Sequence, residues 1–286
     1  MSPSGGANRA TPKCVVSSKL LIGLPEGTPQ IEYTNMKTLE SVIDAQCRRC
    51  DIDDCQSPFL IVTCIPPAFP EDFSFDIGRR FTADLEEKLA VIETMTKLSH
   101  GMMAYQLMLF IQHQIDSMGL GDEVLGTSPF QVKSTTGQWV KEGDGGFVRA
   151  NDQKWPIVAI EIGLFESESK LAIDAQGWLE IDGSKTKIVL TAKLNRRRPQ
   201  ITFQRWEHHL PSYRPITRHF HPTGSAVEEV VATHEGGVTR VNGNITIPFE
   251  KLFGRARRGP NERDVVVDRV AFTQMCERAW RAQEFM

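Results

Sequence analysis

Apolar residues spaced three or four positions apart predict helices in several parts of the chain. Within residues 81–98, for example, Leu85, Leu89 and Ile92 fall on one stripe, which is typical of a helix with one face against a core. The same spacing recurs nearer both ends of the chain. The predicted helices span residues 36–50, 81–98, 102–118, 167–180 and 268–285.

Shorter runs rich in β-branched and aromatic residues predict strands, most of them after Gly119. Runs at 237–241 and 244–249 flank Asn242-Gly243, a dipeptide typical of a two-residue β-hairpin turn. Because a predicted helix separates the remaining strands, we expect an α/β fold with a central mixed sheet flanked by helices. Those strands span residues 58–67, 130–132, 138–141, 146–149, 157–162, 188–194 and 201–206.

The length and composition fit one large domain with appendages. The chain has 286 residues, of which 40% are hydrophobic and 24% charged, as in ordinary globular proteins. Residues 1–35 are rich in Ser, Pro, Gly and Thr and predict a loosely ordered arm. We expect a core at 36–215 with N-terminal helical additions. Residues 216–286 would then form a C-terminal extension, a hairpin and a helix, packed on that core.

Charge and hydropathy do not indicate a membrane protein. The formal net charge is −3, and no apolar run reaches the ~18 residues of a membrane span. The start of the chain lacks a basic segment followed by a long apolar one. We therefore expect an intracellular protein of the nucleus or cytoplasm.

Two acidic residues stand at the ends of apolar runs. The run at 157–162 is β-branched enough to predict a strand buried on both faces, so Glu161 near its end needs a cation or a proton. The polar residues before it predict a hairpin turn centred between Asp152 and Gln153. That turn would place Asp144 directly opposite Glu161, with β-carbons roughly 5 Å apart.

Two like charges this close destabilise a fold unless a cation or a shared proton lies between them. One arrangement that removes the penalty is a divalent metal held by both carboxylates. The structural alternative pairs Glu161 with an Arg or Lys and leaves Asp144 as a turn residue in a Gly-rich corner.

Three segments resemble a known group of proteins. Gly143 to Phe147, Trp155 to Gly163 and the helix from Ser167 to Trp178 are similar to a largely uncharacterised fungal group with a restriction-endonuclease-like domain, part of the PD-(D/E)XK nuclease superfamily. Ser99-His100-Gly101, at the start of a helix, resembles the first core helix of small bacterial members. The resemblance covers about residues 85–281.

This resemblance implies a restriction-endonuclease-like core and a metal-dependent phosphodiester hydrolase. Asp144 matches the first acid of the motif and Glu161 the second, so both would hold Mg²⁺ or Mn²⁺ for attack on DNA or RNA. Gly163 stands where the motif has its lysine, and Gly143 stands where it has proline.

A lysine from elsewhere in the chain would have to replace the motif lysine. Lys170 is the first candidate for this catalytic role and Lys193 the second, while the simpler interpretation of each is a solvated surface lysine. The loss at Gly163 leaves an alternative function open, a catalytically inactive nuclease-fold domain that binds nucleic acid or a protein partner.

A basic segment fits a nucleic-acid partner. Nine cations between Lys185 and Arg218 accompany one acid, Glu207, and such a local excess can neutralise phosphates. A solubilising hairpin turn is the alternative interpretation. In the same segment Trp206 and Tyr213 would stack on bases or, more simply, belong to the core. The candidate nucleic-acid contacts are Lys193, Arg196, Arg197 and Arg198.

The cysteine and histidine patterns do not define a zinc site. Cys47 and Cys50 have the spacing of a ligand pair, but Cys55 and Cys64, which would complete it, flank a predicted turn and strand. Buried reduced thiols are the simpler interpretation. Among five histidines that follow residue 207, His219-Phe220-His221 places two rings on one strand face, without a neighbouring acid as third ligand.

Overall fold

Two mixed β-sheets with helices packed on them form the fold, which confirms the predicted α/β class. The structure, a computed structural model, describes residues 18–53, 56–73, 79–94, 97–127, 130–209 and 223–286. A short 3₁₀ helix at Lys19–Leu21 precedes the first strand. The first half of the chain contains β1 (Gln30–Glu32), α1 (Met36–Ile52), β2 (Phe59–Thr63), α2 (Phe69–Asp72), β3 (Arg80–Asp84), β4 (Leu89–Glu93), α3 (Leu98–Ser117), β5 (Val124–Thr127), β6 (Phe130–Lys133) and β7 (Trp139–Gly143).

The second half of the chain completes the larger sheet. It contains β8 (Gly145–Arg149), β9 (Val158–Gly163), α4 (Glu168–Glu180), β10 (Ile188–Leu194), β11 (Gln200–His209), β12 (Thr223–Glu235), β13 (Val238–Val241), β14 (Ile245–Ile247), α5 (Phe249–Phe253), β15 (Val265–Val267) and α6 (Arg269–Ala282).

The six-stranded sheet has the order β1-β2-β4-β3-β7-β6. One face of it is covered by α1, whose buried Leu39 and Ile43 join a cluster with Leu60, Val62 and Phe81. The helix forms because its apolar positions fall on one stripe, and the Asn35 side chain caps its first turn by accepting the Thr38 N–H.

The seven-stranded sheet has the order β13-β12-β11-β10-β9-β8-β5, with β9 and β10 parallel at its centre. The strand β9 is buried along its whole length, as its continuous apolar run predicts. Helices α3 and α6 cover one face and α4 covers the other. Alternation along β9 sends Ile160 and Ile162 towards α3 and α6, so Glu161 points to the α4 side.

The chain passes from one sheet to the other at a single residue. Strand β7 belongs to the six-stranded sheet and β8 to the seven-stranded sheet, and Asp144 is the residue between them. The first predicted acid therefore lies at the junction of the two sheets.

The helix predicted at 81–98 is wrong, because most of that segment forms the antiparallel pair β3 and β4. Asp84 explains the difference, since its side chain accepts the backbone N–H groups of Glu86 and Glu87 and closes a turn. Lys88 then adopts the left-handed conformation, at φ 53°. Turn chemistry outweighs the helical spacing of the leucines.

The hairpin predicted at Asn242-Gly243 is also wrong. The turn lies instead at Gly236-Gly237, both at positive φ, and joins β12 to β13. Strand β14 pairs with β15. Strand β12 was not predicted, and it pairs with β11 along its length, so residues 223–235 belong to the main sheet. The C-terminal helix is confirmed as α6.

Part of the segment predicted as a loosely ordered arm is regular structure, because β1 pairs in parallel with β2. None of the helices in the described ranges is long and apolar enough to cross a membrane. Several residues of the sequence predictions lie outside the described residues, namely 1–17 of the arm, Cys55, Tyr213, Arg214, Arg218, His219 and His221.

Replacing Phe81 tests the strand pair at the centre of the smaller sheet. Its ring is 2% exposed and lies 5.6 Å from that of Phe69 and 5.1 Å from that of Phe73. We expect Phe81→Ala to lower the free energy of unfolding by about 3–5 kcal/mol in urea titrations. Glu86→Ala, on the exposed turn, should change it by less than about 0.5 kcal/mol. Equal stability of both variants would contradict the packing.

Candidate functional site

The predicted register of the two acids is confirmed. Strands β8 and β9 pair Gly145 with Ile160, Gly146 with Ala159 and Phe147 with Val158, the register of a hairpin centred between Asp152 and Gln153. One further step along this ladder sets Asp144 opposite Glu161. Both acids are buried, at 6% and 7% exposure, and an Asp144 carboxylate oxygen accepts the Ile162 N–H at 2.6 Å.

An arginine from the smaller sheet supplies the positive charge beside Asp144. Arg80, at the start of β3, forms an ion pair with Asp144 and lies 3.5 Å from a carboxylate oxygen of Glu93. His100 lies near both, with its Nε2 3.5 Å from Asp144. Burial, together with the adjacent Arg80 charge, holds the pKa of His100 well below its ordinary value. The imidazole is therefore neutral, and Arg80 carries the compensating charge.

A lysine that was not predicted supplies the charge beside Glu161. Lys141 on β7 places its Nζ 3.3 Å from Glu161 Oε1 and 2.9 Å from Asp174 Oδ1. Trp178 Nε1 donates to the same Glu161 oxygen. Burial alone would lower the pKa of Lys141, but the carboxylates of Asp174 and Glu161 outweigh burial and raise the pKa. Lys141 therefore stays protonated.

Packing favours glycine at position 163. A β-carbon at Gly163 would lie 2.6 Å from Leu171 Cδ1 and 2.9 Å from its Cγ, so any other residue there requires the Leu171 side chain to shift. Lys141 approaches Glu161 from the neighbouring sheet instead. The positive charge beside Glu161 is thus supplied by Lys141, three residues before Asp144.

The structure brings Lys170, but not Lys193, to the acids. Lys170 lines the same cavity as Asp144 and Glu161, and its Nζ lies 2.6 Å and 2.7 Å from the two oxygens of Asp174. Lys193 lies beside Gly163 across the ladder of β9 and β10, but its Nζ donates to the Leu164 carbonyl at 3.0 Å. Neither lysine is a freely solvated surface residue.

Three further glutamates line this cavity, whose volume is about 40 Å³. Burial raises the pKa of Glu93 to about 8, and the nearby charges of Glu166 and Glu161 add to this against the opposing charge of Arg80. Burial also raises the pKa of Glu142, to about 7, and that of Glu166. Glu166 Oε2 is buried with no hydrogen-bond partner among the described residues. Burial therefore favours the protonated form of the carboxyl groups that line the cavity beside the two central acids.

The donor atoms suit a divalent metal in kind. Carboxylate oxygens are the ligands that Mg²⁺ prefers, and Asp144, Glu161 and the unpartnered Glu166 oxygen face one cavity. Within the described ranges, however, no three His, Cys, Asp or Glu side chains are already arranged around one point. Arg80 and Lys141 lie against the central acids instead. A metal would bind here in exchange for those ion pairs.

The four predicted nucleic-acid contacts lie together beside the acid site. Arg196 to Arg198 form the turn between β10 and β11, and the Asn195 side chain accepts the backbone N–H groups of Arg197 and Arg198 at 2.9 Å and 3.2 Å. The Arg196 guanidinium lies 4.3 Å from the centre of the Phe165 ring. Burial, helped by the nearby Arg196 charge, lowers the pKa of Lys193.

The cysteines in the described ranges behave as thiols. Cys47 Sγ lies 3.0 Å from the Thr94 carbonyl and Cys50 Sγ 3.5 Å from the Ser57 carbonyl, and burial raises the pKa of both. Cys64 is exposed and directly follows β2.

Sequence reasoning missed the cations and the outer acids of the site. Glu93 falls in the segment predicted as a helix (81–98) and Arg80 directly precedes it, which hid their approach to Asp144. Lys141 and Glu142 carried a usable signal, because two charged residues interrupt an otherwise apolar strand bounded by Trp139.

Comparisons with known proteins add little to this geometry. No protein-family model matches the sequence, and no curated protein matches it significantly. A solved structure with some similarity is that of a DUF820 protein from Anabaena variabilis ATCC 29413, described as a candidate nuclease. The match has 11% sequence identity and a TM-score of 0.32, and covers 58% of this chain and 79% of that one. Such a TM-score indicates only a loose similarity of shape.

The raised pKa of Glu93 predicts a pH-dependent stability. A carboxyl whose pKa rises on folding, here from 4.5 to about 8, keeps its proton in the folded state, so stability falls as pH rises through that window. Glu93→Gln removes this loss. In urea titrations, we expect the free energy of unfolding of wild type to fall by up to about 1.4 kcal/mol per pH unit relative to this variant. Glu86→Gln, on an exposed turn, should show the same pH dependence of unfolding free energy as wild type. The same pH dependence in Glu93→Gln would contradict the raised pKa of Glu93.

The close contact between Gly163 and Leu171 predicts that alanine at Gly163 and alanine at Gly101 change stability in opposite directions. Gly163→Ala should lower the free energy of unfolding by about 1–3 kcal/mol, because its β-carbon overlaps Leu171. Gly101→Ala, in α3 with nothing within 4 Å of the added carbon, should raise it by about 0.5–1 kcal/mol. Chemical denaturation of both variants checks this, and a Gly163→Ala protein as stable as wild type would refute the packing explanation.

Proposed function

We propose that this protein hydrolyses phosphodiester bonds of nucleic acid, with Asp144 and Glu161 as the central acids. One observation carries the proposal: the two acids oppose each other in a cavity that also holds Lys170 and Lys141. These are the residue types that the resemblance to PD-(D/E)XK nucleases implies.

Lys141 takes the role that the resemblance gives to the motif lysine. It is charged, and it lies 3.3 Å from Glu161, so it would stabilise the negative charge that develops on the phosphate oxygens during attack. Lys170 places a second positive charge beside Asp174, where it contacts the same Oδ1 as Lys141. The lowered pKa of Asp174, where both lysines outweigh the effect of burial, keeps that carboxylate ionised between them.

Asp144 and Glu161 would hold Mg²⁺ or Mn²⁺. Such an ion, when bound, supplies a more acidic water as nucleophile. Arg80 has to leave Asp144 for this, and Glu93, which lies 3.5 Å from Arg80, would receive the guanidinium on losing the proton that its raised pKa favours.

The basic turn next to the site would hold the substrate strand. Lys193, Arg196, Arg197 and Arg198 would contact phosphates, either of DNA or of RNA, because four positive charges lie together at the end of β10 and the three arginines are exposed.

A second candidate function is a domain without catalytic activity that binds nucleic acid or a protein partner. The observation that favours it is the ion pair between Arg80 and Asp144, which neutralises the acid that a nuclease needs. The two candidates differ in whether Arg80 gives way to a metal ion.

Cleavage of a fluorescent oligonucleotide distinguishes the two functions. With Mg²⁺ or Mn²⁺ we expect the wild-type protein to cleave it, and Asp144→Asn and Glu161→Gln to lose about 100-fold or more in rate, because each removes a central carboxylate. Asp152→Asn, in the adjoining turn, is the matched control and should cleave like wild type. Circular dichroism establishes that all variants are folded.

Two results would favour the second candidate. One is a folded wild-type protein that binds the oligonucleotide without cleaving it in either metal. The other is cleavage that persists at the wild-type rate in both Asp144→Asn and Glu161→Gln, which would place the activity elsewhere.

A further inference from the structure

A second cavity, of about 240 Å³, opens beside the acid site where β9 and β10 end. We call it the side cavity. It is separate from the acid cavity. Glu166 lines the acid cavity and Glu168 lines the side cavity, so the linings of the two cavities are close along the chain. The charged and aromatic residues that line the side cavity are Phe165, Glu168, Lys193, Arg196, Arg197 and Arg198.

The side cavity has an excess of positive charge. Four cations face one acid, Glu168. The ion pairs of the described residues do not include Lys193, Arg197 or Arg198. Lys193 is half-buried, and burial lowers its pKa. An incoming anion would therefore stabilise a cation that burial has partly desolvated.

The turn that carries the arginines is already in place. Asn195 accepts two backbone N–H groups of the turn through its side chain, and its own N–H donates to the Gln200 carbonyl at 3.0 Å. A ligand would therefore meet a formed turn and need not order the backbone on binding.

A stacking platform adjoins these cations. The Arg196 guanidinium covers the Phe165 ring at 4.3 Å, while Arg196 itself is exposed. Nucleic-acid bases stack on aromatic rings and on the planes of arginine guanidinium groups. A base can thus form a third layer on the outer face of Arg196.

We propose that the side cavity binds an unpaired nucleotide of a single-stranded nucleic acid, its phosphate against Lys193, Arg197 and Arg198 and its base on the Arg196–Phe165 stack. The substrate class follows from the stack, because the faces of a base in a duplex are covered by its neighbours. Lys193 lies beside Gly163, two residues beyond Glu161, so one strand can reach the side cavity and the acids. The inference rests on the proposed function for its ligand.

Fluorescence anisotropy in EDTA measures this binding without cleavage. The probes are a labelled oligothymidylate of twelve nucleotides and a labelled duplex of the same length. Wild type should bind the single strand more tightly than the duplex. Arg196→Lys keeps the charge but loses the planar stack, so it should weaken single-strand binding by about 5- to 100-fold, the effect of one lost base stack, and leave duplex binding unchanged.

Lys193→Gln separates charge from stacking. It should weaken binding of both probes and reduce the slope of log affinity against log salt by about 1, because one phosphate contact is lost. Arg257→Lys is the control, an exposed arginine paired with Asp264 away from the side cavity, and should bind like wild type. Each variant is first shown to be folded by its thermal transition.

Equal binding of both probes, together with an unchanged single-strand affinity in Arg196→Lys, would overturn the inference. This outcome is distinguishable from failure of the proposed function. If the protein binds as expected but never cleaves, only the catalytic proposal is wrong. If it cleaves but neither Arg196→Lys nor Lys193→Gln changes binding, only the proposal that the side cavity binds a nucleotide is wrong.

Discussion

The neutralisation of buried carboxylates is the constraint on which the structure depends. Asp144, Glu161 and Asp174 are all less than 9% exposed, and an unpaired charge in such surroundings costs several kcal/mol. Each is matched by an internal cation, Arg80, Lys141 or Lys170. These pairs fix where the surrounding strands can lie.

The same pairs connect the two sheets. Arg80 and Lys141 extend from the six-stranded sheet, whereas Glu161 belongs to the seven-stranded sheet and Asp174 to the helix that covers it. The chain itself crosses between the sheets at Asp144. The candidate site is therefore also the joint between the two halves of the fold, and a change of charge there affects stability as well as chemistry. Breaking one pair leaves a buried charge behind, which explains why a metal would have to enter by exchange with Arg80.

Local signals made much of the fold predictable. The turn at residues 150–154 and the apolar run after it were sufficient to predict the register of Asp144 and Glu161, and α1, α4 and α6 follow from helical spacing. Local reasoning failed where a side chain competes with the backbone pattern, as Asp84 does in the turn before β4. It also failed at Asn242-Gly243, because the strand after this dipeptide, β14, pairs with β15 and not with β13. Half of the candidate site was predictable, because the acids lie in one hairpin. The cations were not, since Arg80 and Lys141 reach the acids across sheets that no local pattern relates.

Manganese binding followed by electron paramagnetic resonance tests most directly whether Asp144 and Glu161 form one centre. The measurement is a titration of Mn²⁺ into wild type, Asp144→Asn and Glu161→Gln. A shared centre predicts one bound ion in wild type and weaker binding in both variants, because each supplies oxygens to the same ion. Unchanged manganese binding in the two variants, or no bound ion in wild type, would contradict the account and leave the acids as purely structural partners of Arg80 and Lys141.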